Sequence, residues 1–127
     1  MPNLDILRQH VEDLGIVSAH KLVDMFYTDV QKRIAFIQDY QENGGEQKEL
    51  HLNAHSLKGL CRTYGADQAG EAAMQLQAAC EGDDETLIQE KIQLALGIIP
   101  ADSKACFVFM NTLKENVEKD DAGEHEQ

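Results

Sequence analysis

The sequence predicts an all-α protein, an antiparallel up-down four-helix bundle with a short N-terminal helix capping it. Three observations carry this prediction. Apolar residues recur at spacings of three and four through long segments, the helical period. Short breaks such as Asn43-Gly44-Gly45 and Glu81-Gly82-Asp83-Asp84 separate the segments, and short connections make neighbouring helices antiparallel. Only two prolines occur in 127 residues, 43% of which are hydrophobic, enough for one domain with a real core.

The first helix spans residues 3–14, with Asn3 as N-cap, a stripe of Leu4, Leu7, Val11 and Leu14, and Gly15 as stop. It is too short to be stable alone and must pack on the rest. Ser18 is the expected cap of a second helix reaching Asn43, with Leu22, Met25 or Phe26, Val30, Ile34, Ile37 and Tyr40 inward. A third helix runs from Glu46 to Tyr64 and ends at Gly65. Asp67 is the expected cap of a fourth to Cys80, whose inner face is Ala69, Ala72, Ala73, Leu76 and Ala79.

A fifth helix starts near Asp84 and carries Leu87, Ile88, Ile92, Ala95 and Ile99. Pro100 removes a backbone donor and clashes with the preceding turn. With Gly97 before it and Asp102-Ser103 after it, a break or strong kink is expected there. A last stripe follows, Cys106, Phe109 or Met110, Leu113 and Val117. Residues 1–118 are thus the bundle, and 119–127 are expected to be an acidic, flexible tail.

The net charge of −12 argues against nucleic acid and anionic membranes as partners and favours basic surfaces. No apolar run is expected to span a membrane, and no signal-peptide pattern begins the chain, so a cytoplasmic location is expected. Cys61, Cys80 and Cys106 lack metal or disulfide spacing and read as small buried hydrophobes.

Residues 51–66 hold the chemistry. Leu50, Ala54, Leu57, Cys61 and Tyr64 form the buried stripe of that helix, and His55 lies well away from it. His51, Lys58, Gly59 and Arg62 are placed at i−4, i+3, i+4 and i+7 from His55, on its face. Between residues 49 and 90, Lys58 and Arg62 are the only lysine or arginine. Imidazole is a good neutral nucleophile, and cations answer the charge of a phosphoryl group. A helical glycine costs about 1 kcal/mol against alanine, and space beside His55 for a partner's active site is a reason for Gly59.

His55-Ser56-Leu57-Lys58-Gly59, followed by Gly65-Ala66, resembles the signature of histidine-containing phosphotransfer (HPt) domains. Helix order and length extend the resemblance over roughly residues 4–96, and the last thirty residues show no family motif. The resemblance implies a helical bundle that carries a phosphoryl group on Nε2 of His55. The residues alone do not choose between the ring nitrogens. It further implies that Gln77, twenty-two residues after His55, hydrogen-bonds the imidazole Nδ1. Lys58 is then a phosphoryl contact rather than a solvated helix lysine. Arg62 is either a phosphoryl contact or only a source of local potential or a member of an ion pair, since the family pattern does not require it.

Leu52 lies about 60° from His55, on the exposed side. It is either a stray surface leucine or part of an apolar docking surface shared with the N-terminal helix. His51 and His55 could together begin a metal site, but no third ligand has convincing spacing, and none is expected. No phosphate-binding loop is present, so a kinase is not expected. The resemblance implies relay from the phospho-aspartate of one response-regulator receiver to the aspartate of another, below a hybrid sensor kinase. Mg²⁺ would belong to the receiver, and this chain would hold no cofactor of its own. A monomer is expected, and Met1 with no upstream linker points to a free-standing protein. The alternatives are a non-catalytic adaptor of the same fold and, behind it, a metal-binding bundle.

Overall fold

The computed structural model describes residues 2–125. Five helices follow one another: α1 (Leu4–Leu14), α2 (Ile16–Asn43), α3 (Gln47–Thr63), α4 (Asp67–Ala79) and α5 (Glu85–His125). Among the described residues there is no strand. Helix α2 packs on α3 and α5, and α4 packs on the same two, so the four close into a ring around the core. Helix α1 lies against α2 and α5.

The ends of the helices have local causes. The Asn3 side chain accepts the Ile6 N–H at 3.3 Å, as an N-cap should. Gly15, at φ +82°, ends α1 and serves at once as the N-cap of α2. A left-handed glycine makes this corner in one residue, so α2 begins at Ile16 and Ser18 lies inside it, not at its cap as expected. In α2 the inward residues are Ala19, Val23, Phe26, Val30, Ile34, Ile37 and Tyr40. Of the expected pair Met25 or Phe26, Phe26 is buried and Met25 is 60% exposed.

The turn between α3 and α4 ties down α1. Gly65 has φ +84°, and a Cβ there would sit 2.6 Å from the Asn3 carbonyl oxygen. The Asn3 N–H donates to the Gly65 carbonyl, and His10 Nε2 donates to the Thr63 carbonyl at 2.8 Å. The Gly65-Ala66 pair therefore seats the capping helix over the end of α3.

Two expectations about the C-terminal part change. Helix α5 runs continuously through Pro100, so of the expected break or strong kink the break does not occur. A helical proline costs roughly 3 kcal/mol, yet Ile99, Cys106 and Met110 on either side are fully buried. Burying each large apolar side chain contributes about 1.5–3 kcal/mol, so packing outweighs the lost backbone bond. Asp102 and Ser103, which read as turn residues, are buried. Asp102 Oδ2 accepts the Ala69 N–H at 2.9 Å and so caps α4 from another helix, where Asp67 was expected to be the cap. Ser103 Oγ donates to the Ile99 carbonyl at 2.7 Å.

Of the expected tail, residues 119–125 continue α5, and residues 126–127 lie outside the described residues. One stretch of α5, Glu85–Asp120, is by length and composition alone apolar enough to cross a membrane, against the expectation that none is. Its apolarity belongs to the bundle, because Ile88, Ile92, Ala95, Ile99, Cys106 and Met110 are all fully buried.

All three cysteines are free and buried. Burial pushes the thiols of Cys61 and Cys106 up to about 12 and that of Cys80 to about 11, from an ordinary 9.0. The unfolded chain therefore releases thiol protons that the native fold retains as pH rises above about 9. Stability from this source is complete below pH 9 and is lost toward pH 11–12. The denaturation midpoint should fall across that window and fall less steeply in Cys106→Ala; a flat midpoint contradicts the assignment. Separately, Asp102→Ala should cost about 1–3 kcal/mol by leaving the Ala69 N–H buried without a partner. Urea unfolding reads this directly, and an unchanged midpoint would remove Asp102 as the cap.

Candidate functional site

Helix α3 buries Leu50, Ala54, Leu57 and Cys61 completely. That burial fixes the rotation of the helix and turns His55, on the far side, to solvent. Helix α4 runs antiparallel beside it and brings Gln77 level with His55. Gln77 Nε2 lies 3.1 Å from His55 Nδ1. The residue expected from the family resemblance is thus in contact with the ring.

A glutamine can reach the imidazole because the two helices are close. Along α4, Ala69, Gly70, Ala72 and Ala73 are all buried. A Cβ on Gly70 would meet Arg62 Cγ at 2.8 Å and the Lys58 carbonyl at 3.6 Å. Gly70 was visible in the sequence as a helical glycine among alanines, which is the signal for a close approach. It was not singled out.

The Gln77 contact leaves the other ring nitrogen of His55, Nε2, as the one without a protein partner among the described residues. Gln77 Oε1 is buried and makes no hydrogen bond in the orientation that puts Gln77 Nε2 on the ring. The two amide orientations have the same shape. Turned about, Gln77 Oε1 accepts a hydrogen bond from Nδ1–H of His55, Gln77 Nε2 takes the buried position, and His55 Nε2 keeps its lone pair outward. Only that tautomer presents a nucleophile to solvent.

Lys58 is half-buried one turn along from His55, and no carboxylate among the described residues pairs with it. Around Gly59 an added Cβ would meet nothing within 4 Å, so the surface beside His55 is open. Arg62 reaches across to α4, where Nη2 lies 3.4 Å from Met74 Sδ. His51 turns to the α4–α5 connection, its Nε2 3.4 Å from Glu81 Oε1. The two histidines thus have different partners. Among the described residues no group of three or more His, Cys, Asp or Glu could hold a metal.

Leu52 is 53% exposed, while Leu57 is fully buried. The helical phase separates them as the sequence predicts. The expected neighbour of Leu52 is different, however. Helix α1 meets α3 at Thr63 and Gly65, eleven residues further on, or about 16 Å along the axis. A groove between α2 and α3 lies toward that end, lined by the apolar Leu22, Met25, Phe26, Leu60 and Tyr64 together with the polar Asp24, Thr28, Asp29 and Lys32.

The model of one protein family, Hpt domain, matches residues 21–120. The match reaches much further toward the C-terminus than the motif-bearing part of the sequence does and takes in most of α5. Comparison with curated proteins gives no match, and comparison with solved structures gives none. With the family match covering most of the chain, and with a helical bundle presenting His55 to solvent, the chain belongs to the Hpt domain family, the histidine-containing phosphotransfer domains.

Proposed function

We propose that the chain is a phosphorelay intermediate that takes a phosphoryl group from the phospho-aspartate of a receiver domain onto His55 and passes it to the aspartate of another receiver. The observation that carries this reading is the pairing of an exposed His55 with Gln77 at its Nδ1. In the forward step the lone pair on His55 Nε2 attacks phosphorus, and an N–P bond forms. The bond between phosphorus and the aspartyl oxygen breaks, and the carboxylate leaves with its electron pair. The proton on Nδ1 stays on the ring and is donated in a hydrogen bond to Gln77 Oε1, which supports the positive charge that develops on the imidazole. Transfer to the second receiver is the same step reversed.

Lys58 offsets phosphoryl charge from one turn away. Gly59 leaves the volume that a receiver's loops need around the reacting atoms. The divalent-ion chemistry of such a transfer belongs to the receiver, so this chain supplies a nucleophile, an orienting amide and a cation. Leu52 contributes apolar area to docking. The upstream partner in this reading is a hybrid sensor kinase, and the chain acts as a cytoplasmic monomer.

Incubation with a phosphorylated receiver should give acid-labile, base-stable phosphate on His55, read by mass spectrometry at neutral pH. A receiver that binds but leaves His55 unmodified would instead make this an adaptor. His55→Gln should accept no phosphate and keep its stability within about 0.5 kcal/mol, as expected for an exposed side chain. Lys58→Ala should slow transfer by about tenfold, the low end for a charge-assisted contact at a half-buried site open to solvent. Gln77→Ala should slow it by about fivefold, the effect of one net hydrogen bond, while Gln77→Glu, which also accepts from Nδ1–H, should retain transfer. Equal rates for wild type and Lys58→Ala would take Lys58 out of the mechanism.

The docking role has its own test. Leu52→Ala should melt like the wild type and weaken receiver binding several-fold to about a hundredfold, from loss of about 1.5–3 kcal/mol of burial. Leu57→Ala should lose about 2–5 kcal/mol of stability as a core truncation. Normal binding by Leu52→Ala would end the docking idea.

A further inference from the structure

Helix α4 carries two acidic residues, and neither pairs with Arg62. Asp67 Oδ2 accepts from Asn3 Nδ2 at 3.3 Å, and Glu71 Oε1 accepts from Gln75 Nε2 at 3.4 Å. The Arg62 guanidinium instead touches the thioether of Met74. Sulfur of this kind is a weak acceptor. Both other arginines of the chain meet a carboxylate, Arg8 with Asp5 and Arg33 with Asp29, whereas Arg62 meets none among the described residues and its guanidinium is available to another acceptor.

The position of Met74 shows where that acceptor would sit. Arg62 lies seven residues beyond His55 on α3, about 10 Å along the axis. Helical side chains lean toward the N-terminus of their helix, which for Arg62 is the direction of His55. Gly70 lies against Arg62 Cγ, and Gln77 lies against His55. Met74 falls between them on α4, three residues and about 4.5 Å of rise short of Gln77. The guanidinium is therefore drawn from the level of Gly70 to that of Met74, in the direction of Gln77 and His55. The absence of a side chain at Gly70 is what lets its stem lie flat across α4.

Resting on the reading of His55 as the phosphoryl carrier, the geometry points to Arg62 as a swinging arm. It is parked on Met74 while His55 is free and moves onto the phosphoryl oxygens once His55 is phosphorylated. A thioether is easily exchanged for a phosphoryl oxygen, because the ionic contact is the stronger one. The arm binds the phosphoryl group in addition to Lys58, and from the α4 side. It makes this contact only in the phosphorylated state, so it stabilises that state selectively.

Phosphoramidate, a small phosphoryl donor, tests this without a partner protein. The ³¹P spectrum reports phosphorylation of His55, and the Nε–H signal of Arg62, identified by its absence in Arg62→Gln, reports the arm. That signal should shift when the ³¹P resonance appears, and it should stay still in His55→Gln treated in the same way. Phosphorylation should also lower the unfolding constant by a factor about three- to tenfold larger in wild type than in Arg62→Gln. Met74→Leu should keep the full phosphorylation-dependent shift. A phosphorylated protein whose Arg62 signal does not move would overturn the arm and leave the carrier reading intact. Failure of His55 to take up phosphate at all would overturn both. A role for Arg62 confined to packing over Gly70 predicts a lower midpoint in Arg62→Gln but no phosphorylation-dependent shift, and it too overturns the arm.

Discussion

The close approach of α3 and α4 is the constraint on which the rest of the site depends. A glutamine side chain bridges to a neighbouring helix only when the two backbones come near each other, and here Ala69, Gly70, Ala72 and Ala73 keep the seam thin. The same seam sets the path of Arg62, whose stem lies where a Cβ on Gly70 would be. It also determines how α4 must be held. Its first turn has no side-chain cap of its own, and Asp102 from α5 supplies the acceptor for Ala69. A small-residue helix has little side-chain area with which to fix its position, so a buried charged cap from a third helix restricts sliding of α4 along α3. The His55–Gln77 register thus rests on an interaction from the far side of the bundle.

Burial and chemistry divide α3 between them. Four fully buried residues at helical spacing leave one choice of rotation, and His55 faces outward because Leu50, Ala54, Leu57 and Cys61 face inward. The nucleophile needs no strained backbone or deep pocket. It needs a fixed tautomer, and one amide from the adjacent helix is sufficient to hold the ring proton on Nδ1. The open surface around Gly59 leaves room at His55 for groups from outside the chain.

Most of this was legible in the sequence, because helical period and short turns are local signals. The boundaries of α1, α3 and α4 and the buried stripes of α3 and α4 followed from them. What was not legible came from tertiary contacts. Pro100 is a strong local signal for a break, yet its helix continues because residues on both sides of it are buried in the same core. Asp102-Ser103 has turn composition, and only the packing of α5 against α4 turns the aspartate into a cap. Ser18 lost the N-cap position because Gly15 makes the corner alone. Gln77 came from family resemblance. No periodicity marks a residue whose partner lies twenty-two positions earlier on another helix.

Charge placement has the same logic as packing. The chain carries 23 acidic residues against 11 lysines and arginines. Both arginines other than Arg62 meet a carboxylate among the described residues, Arg8 with Asp5 at 3.8 Å and Arg33 with Asp29 at 3.3 Å. Lys58 and Arg62 meet none among the described residues, and the two carboxylates of α4, Asp67 and Glu71, are engaged by amide groups of Asn3 and Gln75. Neutralising either cation within the chain would reduce the attraction that an incoming phosphoryl group feels, and would require breaking an ion pair before a new one could form. Leaving them unpaired keeps a positive patch beside His55 in an otherwise acidic surface. That patch is small enough to leave the overall charge acidic, and it lies on the face that presents His55.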